Sequence, residues 1–107
     1  MDKLLIAIVH EEDAERCLEA LVDAGHRATH LPSSGALLRS GNATLLVAAA
    51  EEAVPAILEV IEASTQARTI DLPPVVIGRL RDWRQVSVRH GGATVLITPL
   101  EAIVHLG

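Results

Sequence analysis

An α+β fold is predicted, with the element order strand, helix, strand, strand, helix, strand. Three observations carry the prediction. Leu4–Val9, Ala43–Ala50 and Ala93–Thr98 place apolar residues on both sides of an extended chain, the pattern of strands covered on two faces. Two segments between them show apolar residues at helical spacing. A short run from Arg27 to Leu31, with Ala28 and His30 between Arg27, Thr29 and Leu31, has the period of a strand.

In chain order, the run LLIAIV is the first strand. Glu11, Glu12 and Asp13 follow it and place negative charge where a helix dipole favours it. Ala14, Cys17, Leu18, Leu21 and Val22 then form one helical face, and Gly25 is the expected cap. Cys17 on that face is read as a packed small hydrophobe. Pro32 stops the second strand because it has no amide hydrogen for a ladder. Ser33, Ser34 and Gly35 read as a turn, and Ser40, Gly41 and Asn42 close the loop 32–41. The third strand, Ala43–Ala50, leads to Glu51 and Glu52 at the start of a second helix. Pro55 is tolerated in its first turn, and Val54, Ile57, Leu58 and Ile61 form its stripe.

The stretch 67–90 is irregular. Pro73-Pro74 breaks it, and Val75–Ile77 with Val86–Val88 are candidates for a short hairpin. Arg79, Arg81, Arg84 and Arg89 surround Trp83, which reads either as a basic flap with a stacking ring or as a solvated loop pinned by one indole. Gly91-Gly92 opens the last strand, and Pro99–Leu106 is expected to add one turn of helix. The order of elements is the ferredoxin-like plan, an antiparallel sheet with both helices on one face. One domain over residues 1–107 is expected. Two helices cover one sheet face only, so the second apolar face is expected to be buried against other copies in a closed oligomer.

Composition narrows the function. The chain has one Trp and no Phe or Tyr, so its core must be aliphatic. A single cysteine excludes an internal disulfide and fits a reducing cytoplasm; no secretory leader is expected. No run approaches the ~20 apolar residues of a membrane span, so insertion is not expected. A net charge of −5 disfavours binding of nucleic-acid polymers. A small anion is compatible with it, because Arg27 and Arg39 bracket a loop whose glycine, serine and asparagine residues can present backbone amides. The same residues would also serve as an ordinary connection. No dinucleotide or phosphate-loop glycine motif is present, and the five histidines lack metal-ligand spacing, so no metal and no cofactor are expected. Ser33 and Ser34 have no base partner at a diagnostic spacing, so catalysis is not expected.

Read together, LLIAIVHEED, RATHLPSSGALLRSGNATLL and GGATVLITPLEA resemble the bacterial PII-like cyclic-di-AMP receptor family. Its pattern runs roughly IIAIVQDQD, RATKLATTGGFLRSGNTTF and VGGATVFV. The likeness covers almost the whole chain, and the SGN loop and GGATV strand are its specific parts. The resemblance implies a ferredoxin-like PII homotrimer, not an enzyme, that binds a cyclic dinucleotide between subunits and signals through its loops to a protein partner. It places Arg27, Thr29, Gly35, Ala36, Leu37, Leu38, Gly41, Asn42, Gly91, Gly92 and His105 at the ligand site. Asn42 would bond an adenine edge. Leu37, Ile103 and Leu106 stand where the family has phenylalanines, Ala36 replaces a glycine, and His105 replaces a glutamine. The second loop also lacks the family's Pro-Met-Gly-Gly run. Two functions therefore stay open: a cyclic-di-AMP sensor, and a PII-like trimer for protein interaction or metal tolerance with altered nucleotide specificity.

Overall fold

A computed structural model describes residues 1–31, 41–65 and 92–107. Its elements are β1 (Asp2–His10), α1 (Glu11–Asp23), β2 (Arg27–Leu31), β3 (Asn42–Ala50), a 3₁₀ turn at Glu51–Ala53, α2 (Val54–Ala63) and β4 (Thr94–Pro99). The sheet order is β2-β3-β1-β4, and every neighbouring pair is antiparallel. This is the ferredoxin-like arrangement expected from the order of elements. The hairpin considered within 75–88, Trp83 with its arginines, and most of the loop 32–41 lie outside the described residues.

Directly opposed residues in an antiparallel pair share a face, so the register sorts the side chains. Leu5 stands opposite Val47 and Ile97, Ala7 opposite Leu45 and Val95, and Val9 opposite Ala43. These residues meet Ala14, Cys17 and Leu21 of α1 and Ile57 and Ile61 of α2 in one buried cluster. The other face carries Leu4 with Ala48 and Thr98, Ile6 with Leu46 and Leu96, and Ile8 with Thr44 and Thr94. Ile8 and Leu96 are each 3% exposed yet stand outside the core cluster. The strands are thus apolar on both faces, and one of those faces meets the helices.

The helix ends account for their own backbone groups. Past Asp23, the His26 amide donates to Leu21 O and the Gly25 amide to Val22 O, both at 2.9 Å, with Gly25 at φ +90°. This paired bonding satisfies carbonyls that the helix leaves open. At the end of α2, the Ser64 hydroxyl donates to Val60 O at 2.6 Å and the Thr65 hydroxyl to Ile61 O at 2.9 Å. Arg16 joins the helices: Nη2 lies 2.7 Å from Asp13 Oδ1, and Nε donates to Ser64 O at 3.1 Å. Asp13 is almost fully buried, so this contact compensates a charge removed from water.

Two expectations need correction. Val22 was placed on the buried helix face, but it is 53% exposed. It points about 100° around the helix axis from the fully buried Leu21, at the margin of the apolar stripe. The expected helical turn over Pro99–Leu106 does not form: Pro99 is the last residue of β4, and 100–107 has no regular structure. Ile103, Val104 and Leu106 are exposed there, and so short a helix has too few bonds to persist without packing.

The contrast between neighbours in α1 is testable. Leu21→Ala should cost ~2–5 kcal/mol by opening a cavity in the core. Val22→Ala should stay within ~0.5 kcal/mol. Urea denaturation of both variants at one protein concentration measures the difference, and equal losses would contradict the burial of α1 described above.

Candidate functional site

The site residues on the described strands, Arg27, Thr29 and Asn42, lie on the second face of the sheet and separate toward its two ends. Arg27 is opposite Ala48, Thr29 opposite Leu46, and Asn42 opposite His10. Arg27, Thr29, Asn42 and His10 therefore all belong to the face away from the helices. Six positions along β3 separate the Arg27 rung from Asn42, ~20 Å at ~3.3 Å per residue. Arg27 does not bracket the loop as expected: antiparallel pairing carries it to the far end of β2.

At the Asn42 end, β1 runs directly into α1. His10 is the N-cap, and its Nδ1 accepts the Glu12 amide at 3.1 Å. The Glu11 amide donates to Gly41 O at 2.7 Å. Gly41 has φ +97°, a conformation that side-chain-bearing residues rarely adopt. Gly92 reaches the same end, two residues before Thr94, whose partner is Ile8. Asn42 is 7% exposed, and among the described residues its carboxamide makes no side-chain hydrogen bond. A carboxamide offers both donors and an acceptor, which is the equipment needed to read the edge of a base.

At the other end, a groove of about 190 Å³ is lined by Asp2, Arg27, Ala48, Ala49, Ala50, Leu100 and Ile103. The C-terminal segment leaves the sheet here, since Pro99 stands opposite Lys3 and the Leu100 amide donates to Asp2 O. His105 lies farther along this segment and is exposed. Lys3 pairs with Glu51 and Arg16 with Asp13, whereas Arg27 has no ion pair among the described residues. Gly35, Ala36, Leu37, Leu38 and Gly91 lie outside the described residues.

His10 and Asp2 were not singled out from the sequence. A histidine followed by Glu11, Glu12 and Asp13 was the available signal for a helix cap, but its pairing with Asn42 requires the register of β1 on β3. Among the described residues no helix is long and apolar enough to cross a membrane.

The family model described as cyclic-di-AMP receptor matches residues 2–106. The chain belongs to the cyclic-di-AMP receptor family. A solved structure of a functionally unknown protein from Pediococcus pentosaceus is 34% identical, with 98% of this chain and 97% of that one covered and a TM-score of 0.67. Arabidopsis thaliana PII bound to citrate is 12% identical, with 98% of this chain and 80% of that one covered and a TM-score of 0.58. At that identity the likeness concerns the fold: this family member has a PII-like chain path.

Cys17 takes no part in this face. Burial pushes its thiol pKa up, and Asp13 adds to the rise; a hydrogen bond with Ser64 and the charge of Arg16 act the other way. A raised thiol pKa lowers the thiolate fraction at any given pH, and thiolate is the reactive form. The folded protein should therefore react with an aromatic disulfide reagent at pH 8 much more slowly than the unfolded chain. Stopped-flow absorbance with and without denaturant compares the two rates. A fast native reaction would mean that α1 opens readily from the sheet.

Proposed function

We propose that the protein is a cytoplasmic receptor that binds cyclic-di-AMP in clefts between the subunits of a homotrimer, without catalysis. The loops at 32–41 and 67–90 would report occupancy to a protein partner. The observation that carries this reading is Asn42: a nearly buried residue on the open face whose carboxamide has no protein partner among the described residues. Membership of a cyclic-di-AMP receptor family supplies the nucleotide. The ~20 Å between the Arg27 and Asn42 rungs favours a cleft lined by more than one chain over a pocket within one. Gly41, Gly92 and Asn42 would shape the base site, Arg27 and Thr29 would serve the phosphate and ribose side, and His105 would approach from the C-terminal segment. Gly35, Ala36, Leu37, Leu38 and Gly91 complete the proposed lining.

The trimer has its own physical basis. Leu4, Ile6 and Leu46 are partly exposed apolar residues on the face that the helices do not cover, beside Ile8 and Leu96, which the single chain already buries. Such a surface is best buried between identical chains in a closed ring. Light scattering after size exclusion should give three times the chain mass of 11.4 kDa. A stable monomer at micromolar concentration would refute the assembly.

The second reading, a PII-like module with altered nucleotide specificity, is favoured by Leu37, Ile103 and Leu106, which replace stacking rings with aliphatic side chains. A thermal-shift comparison of cyclic-di-AMP, cyclic-di-GMP, ATP, ADP and AMP separates the two, since ligand at 100 times its Kd adds about 2.7 kcal/mol. Asn42→Ala then tests the site itself. It should weaken cyclic-di-AMP binding by ~1–3 kcal/mol with the trimer intact. Equal affinities in calorimetry would leave Asn42 as a strand residue with no part in recognition.

A further inference from the structure

We propose that His10, which the family resemblance does not mark, is a positioning residue for the Asn42 carboxamide. The inference rests on the reading of Asn42 as a ligand contact. Three observations meet at one corner of the molecule. His10 is the last residue of β1 and the direct partner of Asn42, the first residue of β3. Its ring caps α1 by accepting the Glu12 amide at Nδ1. The amide between them, Glu11 N–H, holds the carbonyl of Gly41, the residue before Asn42, at 2.7 Å.

These bonds form a short circuit: His10 ring to Glu12, helix start to Gly41, and Gly41 to Asn42, which pairs back onto His10. The first amides of a helix have no partner inside it, so a cap decides whether the first turn stays closed. With the cap in place, Glu11 N–H remains aimed at Gly41 O. Gly41 is then fixed in its left-handed conformation, and that fixes the direction in which β3 begins. Without the cap, the first turn of α1 can fray, and Gly41 loses the donor that anchors it. The effect on Asn42 passes through the backbone, so His10 need not touch the ligand. An accepting Nδ1 also assigns the ring proton of the neutral imidazole to Nε2.

The experiment compares wild type, His10→Ala, His10→Asn and Ile57→Val, a small core change away from the corner. Cyclic-di-AMP affinity is measured by calorimetry, and ligand-free protein by melting temperature and amide NMR. His10→Ala should raise Kd about fivefold, the size of a lost cap expressed as an affinity. Asparagine is also a good cap, so His10→Asn should return Kd to within about twofold of wild type. Ile57→Val should lower the melting temperature and leave Kd unchanged. Without ligand, His10→Ala should shift the Asn42 side-chain amide signals and speed hydrogen exchange at Glu11, while Ile57→Val should do neither. A His10→Ala protein that melts earlier but binds as wild type, or whose Asn42 signals stay in place, overturns the proposal. If wild type binds no cyclic-di-AMP, the receptor reading fails, and the Asn42 and Glu11 signals alone decide the positioning role.

Discussion

A four-stranded sheet with helices on one face and apolar side chains on both is the constraint from which the rest of this structure follows. Leu5, Ala7 and Val9 point to the helices, and Leu4, Ile6 and Ile8 point away. A one-residue slip of β1 would exchange these two sets and still present apolar groups to α1 and α2. Alternation alone therefore specifies the register weakly here. The corner at His10 and Glu11 supplies some of the missing specification, because it bonds the end of β1 and the start of α1 to Gly41 at the start of β3. The same corner stands beside Asn42. Register control and presentation of the candidate contact are thus properties of one small set of backbone bonds.

Much of the fold was legible in the sequence because the local signals agreed. Helix α1 begins at the acidic triplet Glu11–Asp13 and ends just before Gly25, and Pro55 sits in the first turn of α2, as their chemistry requires. Val22 shows where periodicity stops being sufficient. Spacing places it on the same stripe as Leu18, but at the margin, about 100° around the axis from the buried Leu21, and packing decides how wide a stripe is covered. The C-terminal segment shows the same limit. Ile103, Val104 and Leu106 have the composition of a packed turn, yet packing depends on a surface outside their own sequence.

The candidate site was legible in its residue types and misleading in its geometry. Arg27 and Asn42 flank one loop, which makes them look like the two jaws of a single pocket. In an antiparallel hairpin, however, distance from the loop sets position along the sheet. Asn42 follows the loop directly, whereas Arg27 lies four residues before the end of β2. They share a face and stand ~20 Å apart. No pattern in one strand conveys this, because it depends on the pairing of Arg27 with Ala48. His10 was missed for the same reason: its link to Asn42 exists only across β1 and β3.

Charge adds a further argument about where an anion would be held. Segments 32–40 and 66–91 contain six of the nine Lys and Arg residues and two of the fourteen Asp and Glu residues. The remaining residues, which include the sheet and both helices, thus carry three basic groups against twelve acidic ones. Two of those three basic groups are in ion pairs, Lys3 with Glu51 and Arg16 with Asp13. The acidic helices Glu11–Asp23 and Val54–Ala63 cover the face opposite Asn42 and would repel a phosphate approaching from that side. On the open face, Arg27 is the one basic residue of the sheet without an ion pair among the described residues. The charge pattern and the Asn42 carboxamide, which has no side-chain hydrogen bond among the described residues, therefore select the same face, although one follows from where charges fall along the chain and the other from how two strands pair.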